Sequence, residues 1–475
     1  MTINARQRLG LVKKEVFLDK VSPESEQAPA VLLQKELLEE AFRQGASDIH
    51  VEPLEKAVQI RFRVDGCLRK GPLFPRTVLE SLVSRFKIST NLDISEKRVP
   101  QDGSFRVQIG GKPLDLRASF IPTQWGEKLV IRLLDAQQSF LGLEQLGLPQ
   151  NQLNILSTMI ERPQGLILVV GPTGSGKTTT LYSILQAIHR EGINIITVED
   201  PIEYSLSGIN QVQVNEKVGL TFAHSLRAIL RQDPDVILVG EIRDEETAQI
   251  ALRAAFTGHL VLSTLHTNDA VSTLTRLQNL GLEPYVLSSC LLGVLSQRLI
   301  RRNCTQCRRA ELPDPKMLER YHLSIPPGQV FYQGEGCPEC RGEGTSGREG
   351  VFELLQLTPA LREAILRKAP ETEMRHLAVE EGMETLLSCG LKKAGAGLVS
   401  LEEMMRVIPY ESGARFCPTC LHPVEHFFVC CPNCSLELVR KCPDCAQRVQ
   451  DSWKTCPYCG KGPLPLRVKG TTVMV

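Results

Sequence analysis

A glycine-rich stretch, residues 171–178 (GPTGSGKT), carries the clearest chemistry in the chain. It stands between an apolar run, residues 166–170, and a helix-forming stretch. Closely spaced glycines allow a tight turn whose backbone N–H groups point at phosphate oxygens at the start of a helix. Lys177 would then reach the β- and γ-phosphates, and Thr178 would hold Mg²⁺. The pattern predicts a site for ATP or a related nucleotide, formed by Gly171, Pro172, Thr173, Gly174, Ser175, Gly176, Lys177, Thr178 and Thr179.

An acidic residue, Glu241, follows the apolar run at residues 236–239. The run has the length of a buried strand. A carboxylate at the tip of a strand beside a phosphate loop can orient the attacking water or coordinate a water on Mg²⁺. We predict the first of these roles for Glu241. The alternative is a solvated acid that only closes the strand.

Sixteen cysteines occur in the chain, and twelve of them form six Cys-x-x-Cys pairs. Pairs of this kind, presented by tight turns, suit tetrahedral zinc, with two pairs for each ion. Disulfides are a poor alternative in a chain that stays in a reducing cytoplasm. We therefore predict about three structural Zn²⁺ sites. Their ligands are Cys304, Cys307, Cys337, Cys340, Cys417, Cys420, Cys431, Cys434, Cys442, Cys445, Cys456 and Cys459.

The sequence around these residues predicts that the chain folds in several parts, which must hold the residues in position. Residues 29–44 carry apolar side chains at helical spacing, and residues 58–64 alternate between apolar and polar side chains. From residue 165 onward apolar strands alternate with helices, which is the pattern of a parallel α/β sheet. The predicted parts are a flexible tail (1–28), an N-terminal α+β, PAS-like subdomain (29–134), a linker (135–160), an ATPase core (161–300), a tetracysteine zinc module with a helical C-terminal region (301–410) and a double zinc ribbon (411–475).

Composition narrows the class of protein. The 475 residues are 42% hydrophobic and 23% charged, with a formal net charge of +1, so we expect folded domains and no general electrostatic grip on nucleic acid. No apolar run approaches the roughly 18 residues that span a bilayer, and we see no signal peptide. We therefore expect a cytoplasmic protein whose membrane contact is peripheral.

Four blocks of sequence, residues 171–178, 196–204, 240–244 and 257–268, resemble the Walker A, Asp box, Walker B and His box of the secretion ATPase superfamily. Their order and spacing also match, and the resemblance covers roughly residues 30–410. It implies a RecA-like P-loop core that works as a homo-hexamer at the inner membrane, where it moves a platform protein. It further implies that Glu199 and Glu203 help to place Mg²⁺ and water, and that His259 and His266 sense the γ-phosphate.

Arg61 and Arg63 lie in a segment that resembles the N-terminal subdomain of the family, which closes over the nucleotide. Arginine suits phosphate because its guanidinium is planar, always charged and bidentate. We predict that both residues bind nucleotide; the alternative is a solvated face of a strand. Arg227 and Arg231 are four residues apart, so we expect them to share a helix face from which one could reach a neighbouring subunit.

The tetracysteine module, residues 304–340, distinguishes subfamilies, because in the family it marks pilus or secretion assembly ATPases and is generally missing from retraction ATPases. We therefore predict a motor that assembles a type IV pilus or a type II secretion pseudopilus. The double ribbon at residues 411–475 is no part of the usual family plan. It has no strong basic stripe, so we favour docking of an unidentified protein over nucleic-acid binding or a passive structural role.

Three other functions remain open at this stage. A DNA-uptake or other nucleic-acid-translocating motor could combine a RecA-like core with zinc ribbons. A nucleotide-gated scaffold would not hydrolyse ATP, although intact Lys177, Thr178 and Glu241 speak against it. A retraction motor is disfavoured by the tetracysteine module.

Overall fold

A computed structural model describes residues 29–135, 141–321, 323, 329–409, 415–417, 423–424, 428–431, 434–438, 440–449, 454–462, 467–468 and 471–472. By its contacts the chain divides into two units, residues 1–139 with 203–205 and residues 140–202 with 206–475. Each unit has a hydrophobic core of its own. The predicted tail at 1–28 and the predicted zinc ligand Cys420 lie outside the described residues.

The first unit is an antiparallel sheet with two helices packed on its apolar face. Its elements are α1 (Pro29–Gln44), β1 (Ala46–Pro53), β2 (Ala57–Val64), β3 (Cys67–Pro75), α2 (Leu79–Thr90), β4 (Gln101–Ile109), β5 (Lys112–Thr123) and β6 (Gly126–Asp135). The strand order is β3-β2-β1-β6-β5-β4. Asp65 and Gly66 turn the chain between β2 and β3 with φ of 49° and 83°, the left-handed values that a tight hairpin needs.

The second unit is built on a seven-stranded sheet. Up to its central part the elements are α3 (Gln150–Ile160), β7 (Gly165–Val170), α4 (Lys177–Ile188), β8 (Ile195–Glu199), β9 (Asn210–Gln213), α5 (Phe222–Ile229), β10 (Val236–Val239), α6 (Glu245–Phe256), β11 (Leu260–Leu265), α7 (Ala270–Asn279), α8 (Pro284–Cys290) and β12 (Leu291–Asn303). Strands β7, β8, β10 and β11 are buried along their whole length, because helices cover the sheet on both faces.

The rest of the chain adds β13 (Arg308–Glu311), α9 (Pro315–Arg320), β14 (Phe331–Gly334), β15 (Thr345–Gln356), α10 (Pro359–Leu366), α11 (Glu371–Glu380), α12 (Leu386–Gly395) and α13 (Leu401–Val407). The order of the large sheet is β15-β12-β7-β11-β10-β8-β9. All neighbouring pairs in it are parallel except β12 with β15. The carboxyl ends of β7, β10 and β11 therefore meet at one edge.

The predicted boundary at residue 300, between the ATPase core and the zinc module, falls within a strand. Strand β12 runs to Asn303 and pairs with the twelve-residue strand β15, so both belong to the main sheet. Residues 293–298 are buried on both faces, and a continuously buried strand has no alternating pattern by which sequence could identify it. The four helices α10–α13 follow only after β15.

The described part of the C-terminus contains strands of two residues each, such as Arg440–Lys441 paired with Arg448–Val449. Its core clusters are equally small. One consists of Cys442, Val449 and Cys456, and another of Cys417 and Cys431, with a few partly buried side chains around each. Cores of this size cannot offset the conformational entropy of folding, so metal must supply the stability.

Candidate nucleotide site and zinc sites

The phosphate loop connects β7 to α4, which begins at Lys177. Gly171, Gly174 and Gly176 have φ of 147°, 78° and 90°, conformations that only glycine adopts without strain. A Cβ on Gly171 would lie 2.6 Å from the carbonyl oxygen of Gln297. The glycines are therefore required both by the turn and by the close approach of β12.

Lys177 lies within this loop. Its Nζ donates to the carbonyl oxygens of Gly171 and Pro172 at 2.8 and 3.1 Å. Burial lowers the pKa of Lys177, and the carboxylate of Glu241 opposes that effect. Among the described residues, the hydrogen bonds of the ammonium go to these loop carbonyls, from which phosphate oxygens can attract it. The hydroxyl of Ser175 is buried and has no hydrogen-bond partner among the described residues, which fits a loop made to receive an anion.

Glu241 lies just beyond the carboxyl end of β10. Its carboxylate accepts a hydrogen bond of 2.5 Å from Arg243, and the Nε2 atom of His266 lies 3.5 Å from its other oxygen. Strands β10 and β11 pair in parallel, and the backbone N–H of Ile242 donates to the carbonyl of Thr264 at 3.0 Å. This pairing brings Glu241 and His266 to the same edge of the sheet as the phosphate loop.

Glu199 ends β8 and is only 4% exposed. Its carboxylate accepts hydrogen bonds from Thr197 at 2.6 Å, from Gln211 at 3.1 Å and from the hydroxyl of Tyr182. With three donors already bound, Glu199 has less acceptor capacity left for Mg²⁺ than the resemblance implies. Tyr182, on α4, was missed by the sequence analysis because a tyrosine inside an apolar helix face gives no motif signal.

Within one chain the structure separates the two histidines that are predicted to sense the γ-phosphate, His259 and His266. His259 precedes β11 and His266 follows it, so the strand separates them by roughly 20 Å at about 3.3 Å per residue. The carbonyl of His259 accepts from the N–H of Gly165, at the start of β7, whereas the phosphate loop follows the end of β7. His259 instead contacts the end of α6, with Nδ1 3.0 Å from the Ala254 carbonyl oxygen.

The predicted arginines of the first unit are in ion pairs on the polar face of its sheet. Arg61 donates to Glu52 at 2.6 Å, and the carboxylate of Asp48 lies 3.8 Å from Arg63. Glu203 is grouped with the first unit by its contacts, and its carboxylate lies 3.4 Å from Arg117. Neutralised arginines of this kind can still exchange a carboxylate for phosphate, so their nucleotide-binding role stays a prediction.

Arg227 and Arg231 do not share one helix as predicted. Helix α5 ends at Ile229, and Arg231 follows it, donating to the carbonyl of Arg227 at 2.8 Å. Arg227 is paired with Glu246 on the neighbouring helix α6.

The tetracysteine cluster has the dimensions of a zinc site. The sulfur atoms of Cys304 and Cys337, and those of Cys307 and Cys340, are 3.8 Å apart, and those of Cys337 and Cys340 are 3.7 Å apart. A tetrahedral ion with Zn–S bonds of about 2.3 Å needs sulfurs about 3.8 Å apart. The backbone N–H groups of Gly336 and Gly344 point at two of the sulfurs, which stabilises thiolates. Four thiolates leave no open position, so this site is structural.

The ribbon cysteines are also brought together. The sulfurs of Cys442 and Cys459 are 3.6 Å apart, as are those of Cys445 and Cys456. Three ligands of the other predicted site, Cys417, Cys431 and Cys434, lie within 4.8 Å of one another. Its fourth predicted ligand, Cys420, lies outside the described residues.

Among the part of the chain that the structure describes, no helix is both long and apolar enough to cross a membrane.

Comparison with known proteins agrees with this geometry. The model of a family described as "Type II/IV secretion system protein" matches residues 23–406, which include the phosphate loop, Glu241, His266 and the tetracysteine cluster. The chain belongs to this family. A second model, "Double zinc ribbon", matches residues 410–460. The predicted resemblance is therefore confirmed, including the added ribbon.

Curated relatives of this chain bear the names of type II secretion proteins and of a type IV pilus assembly ATPase. "Type II secretion system protein E" of Pectobacterium carotovorum subsp. carotovorum is 49% identical over 401 residues, which are 84% of this chain and 80% of that one. "Type II secretion system ATPase E" of Vibrio cholerae is 49% identical over 80% of this chain and 75% of its own length. "Type IV pilus assembly ATPase PilB" of Thermus thermophilus is 47% identical, over 83% of this chain and 44% of its own length.

Solved structures have the same fold. The pilus retraction motor PilT with bound ADP is 32% identical, with a TM-score of 0.54 over 78% of this chain and 96% of its own. The ATPase DotB of Legionella pneumophila, at 23% identity and a TM-score of 0.58 over 79% of this chain and 95% of its own, shows the likeness of fold alone. The predicted fold class, an α/β P-loop ATPase core with C-terminal zinc ribbons, is confirmed.

Proposed function

We propose that this chain is a Mg²⁺-dependent ATPase that powers the assembly of a type IV pilus or of a type II secretion pseudopilus. The observation that carries this proposal is that Lys177 follows β7, Glu241 follows β10 and His266 follows β11, so all three lie at one edge of the parallel sheet. A cation that binds phosphate and a carboxylate that can orient water are groups that phosphoryl transfer to water uses, and the imidazole lies beside the carboxylate. Family membership extends the proposal from hydrolysis to mechanical work in secretion.

In the proposed reaction the loop N–H groups and Lys177 bind the phosphates of ATP. Mg²⁺, held by the hydroxyl of Thr178, would neutralise charge on the phosphate oxygens. Glu241 accepts a proton from the attacking water and orients it, and Arg243 holds the carboxylate in place. His266, next to Glu241, contacts the γ-phosphate. The carboxylate of Glu199, held by hydrogen bonds from Tyr182 and Thr197, helps to place Mg²⁺ and water.

Assembly is favoured over retraction by the tetracysteine cluster. Its four cysteines converge, and the relatives at 47–49% identity bear the names of secretion ATPases and of a pilus assembly ATPase. The solved retraction motor is less similar, at 32% identity. The cluster follows β12 directly, because Cys304 comes immediately after Asn303, so zinc would stiffen the end of a strand of the ATPase sheet.

The remaining parts of the proposal concern assembly and location. We infer a homo-hexamer, peripherally bound to the cytoplasmic face of the inner membrane, whose subunits pass the motion of the nucleotide site to a membrane platform protein. Arg61 and Arg63 are proposed to bind nucleotide, and Glu203 is proposed to help place Mg²⁺ and water. The double ribbon would dock a protein partner, since its described charged residues include both signs, such as the pair Lys461 and Asp444.

ATP turnover against protein concentration tests the proposal. The full chain should show a slow, Mg²⁺-dependent rate that rises cooperatively with concentration, and Lys177→Ala should reduce it to background. A chain that ends at residue 409 should keep the rate if the ribbon is a docking device. Stimulation of the rate by DNA would instead favour a nucleic-acid motor. Turnover equal to that of Lys177→Ala at every concentration would contradict the motor and favour a nucleotide-gated scaffold.

A further inference from the structure

Two buried polar residues of β12, Gln297 and Arg298, face the phosphate loop. Strand β12 runs parallel to β7, with Ser296 opposite Val170, so the next residues of β12 are level with the loop that follows β7. Gln297 is 2% exposed and Arg298 is 3% exposed. Neither takes part in the reaction described above, and burying polar groups so completely is costly unless all of them are bound.

Gln297 uses both ends of its amide on the loop. Its Nε2 donates to the carbonyl of Ser175 at 2.7 Å, and its Oε1 accepts from the hydroxyl of Thr180 at 2.8 Å. Ser175 belongs to the loop and Thr180 to the first turn of α4. Gln297 therefore fixes the loop against the helix that follows it.

Arg298 connects the same loop to the turn that carries His266. Its Nη2 donates to the carbonyl of Asn268 at 2.5 Å, and its Nη1 donates to the carbonyl of Gln297 at 2.9 Å. The same Nη1 would lie 3.1 Å from a Cβ built on Gly171, so the guanidinium packs against the first residue of the loop. Asn268 is only two residues beyond His266. One side chain thus spans the two segments that must contact the same γ-phosphate.

The surroundings of Arg298 explain how a buried cation is kept there. Burial lowers its pKa, and the nearby carboxylates of Glu353 and Asp269 oppose that effect. Glu353 is itself fixed by the backbone N–H groups of Ala270 and Leu386, at 2.8 and 3.1 Å. Arginine stays charged even in such a site, and its charge acts on the neighbouring Lys177. The positive charge behind the loop would favour the binding of phosphate.

We propose that Gln297 and Arg298 form a clamp, the β12 clamp, that sets the position of the phosphate loop relative to His266, with Arg298 as a positioning residue for ATP hydrolysis. The proposal rests on the proposed function, because it assumes that ATP is hydrolysed at this loop. Arg298 would then contribute to ATP hydrolysis in two ways. The charge supports nucleotide binding, and the planar fork, which donates in two directions, aligns the segments.

The competing explanation is that Arg298 is only a structural cation of the core. The same strand offers a matched control in Arg301, whose guanidinium donates to both oxygens of Glu403 at 2.8 and 2.9 Å. Arg301 also lies on β12, three residues after Arg298. When Arg301 is changed, Glu403 keeps a second arginine partner, Arg406. A lysine at either position keeps the charge and removes the planar fork.

The experiment compares Arg298→Lys, Arg298→Gln and Arg301→Lys in the full chain, by kcat, KM and the Kd of a fluorescent ADP analogue. We expect Arg298→Lys to bind ADP within about threefold of the unchanged chain but to lose between about 10- and 100-fold in kcat, as misplaced catalytic groups do. Arg298→Gln should also bind ADP more weakly. An unchanged kcat in Arg298→Lys, or an equal loss in Arg301→Lys, would overturn the clamp.

Failure of the proposed function is recognised separately. If the unchanged chain turns over no more ATP than Lys177→Ala, ADP affinity alone decides: weaker binding in Arg298→Gln and Gln297→Leu but not in Arg301→Lys supports the clamp, and equal affinities overturn it. If Arg298→Gln does not fold by circular dichroism, Arg298→Lys and Gln297→Leu carry the comparison with Arg301→Lys.

Discussion

The Nε2 atom of His266 lies 3.5 Å from a carboxylate oxygen of Glu241, although the two residues are 25 positions apart in the chain. Each follows the carboxyl end of a strand, and these two strands, β10 and β11, are parallel neighbours. The pair joins the residue proposed to orient the attacking water to the residue proposed to contact the γ-phosphate. Any movement of one toward the nucleotide therefore affects the other.

Removing the acid should separate binding from hydrolysis. In Glu241→Gln the amide cannot accept a proton from water, so we expect kcat to fall by about 10²-fold or more while ATP still binds. Phosphate release under steady-state conditions and equilibrium binding of a fluorescent ATP analogue measure the two effects. A Glu241→Gln protein that retains its kcat would exclude Glu241 as the residue that activates water.

The two histidines should behave differently. His266→Ala should lower kcat by about 10-fold to 100-fold, because a group beside the reacting phosphate is lost. His259→Ala should keep kcat within about twofold, since His259 is at the opposite end of β11, roughly 20 Å away. Both variants are compared at saturating ATP. Equal losses in the two would show that the histidines act together, for instance through a neighbouring subunit.

Tyr182 should matter for both stability and activity. Tyr182→Phe removes the hydroxyl that binds Glu199 in a buried site, and we expect a loss of about 1–3 kcal/mol in the free energy of unfolding. We also expect kcat to fall, because Glu199 is less firmly oriented. Urea denaturation measures the first effect. The matched variant Tyr285→Phe, at a tyrosine that is 58% exposed, should change stability by less than about 0.5 kcal/mol.

The zinc content should respond to single ligands. We expect about three Zn²⁺ per chain by elemental analysis and about two after Cys304→Ser, together with a lower thermal midpoint, since a metal that binds only the folded state stabilises it. Cys290→Ala is the control. Burial raises the pKa of the Cys290 thiol to about 11, and this cysteine is in none of the described clusters, so its loss should leave the zinc content unchanged.

Acid should weaken the pairing of β12 with α13. Burial tends to raise the pKa of Glu403, but the hydrogen bonds from Arg301 and Arg406 outweigh it and hold the pKa at about 2. A lowered pKa means that this stabilisation is complete above the ordinary value of 4.5 and is lost as the pH falls from there toward 2. Discounting for the exposure of Arg406, we expect a contribution of about 2 kcal/mol.

The contribution of Glu403 is tested by comparing how the stability of the unchanged chain and that of Glu403→Gln depend on pH. Urea denaturation at several pH values between 5 and 3 should show a steeper loss of stability in the unchanged chain than in Glu403→Gln, whose amide does not titrate. Because both proteins lose thiolate-bound metal over the same range, that loss cancels in the comparison. Parallel curves would mean that Glu403 does not carry the effect.

Local patterns in the sequence were sufficient wherever chemistry or backbone geometry depends on neighbouring residues. The loop at residues 171–178, the paired cysteines, helix α1 and the alternating strand β2 could be predicted, because each is defined by spacing along the chain. The same holds for Asp65 and Gly66, whose positive φ values are needed by the turn that they form.

Tertiary structure alone decided which residues meet. Gln297 and Arg298 had no signal, because β12 is buried on both faces and joins β7 only through the fold of the whole unit. Tyr182 reaches Glu199 across the space between a helix and a strand, a contact set by packing. His259 and His266 looked equivalent along the chain, yet a six-residue strand between them places them at opposite edges of the sheet, since an extended backbone adds about 3.3 Å with every residue.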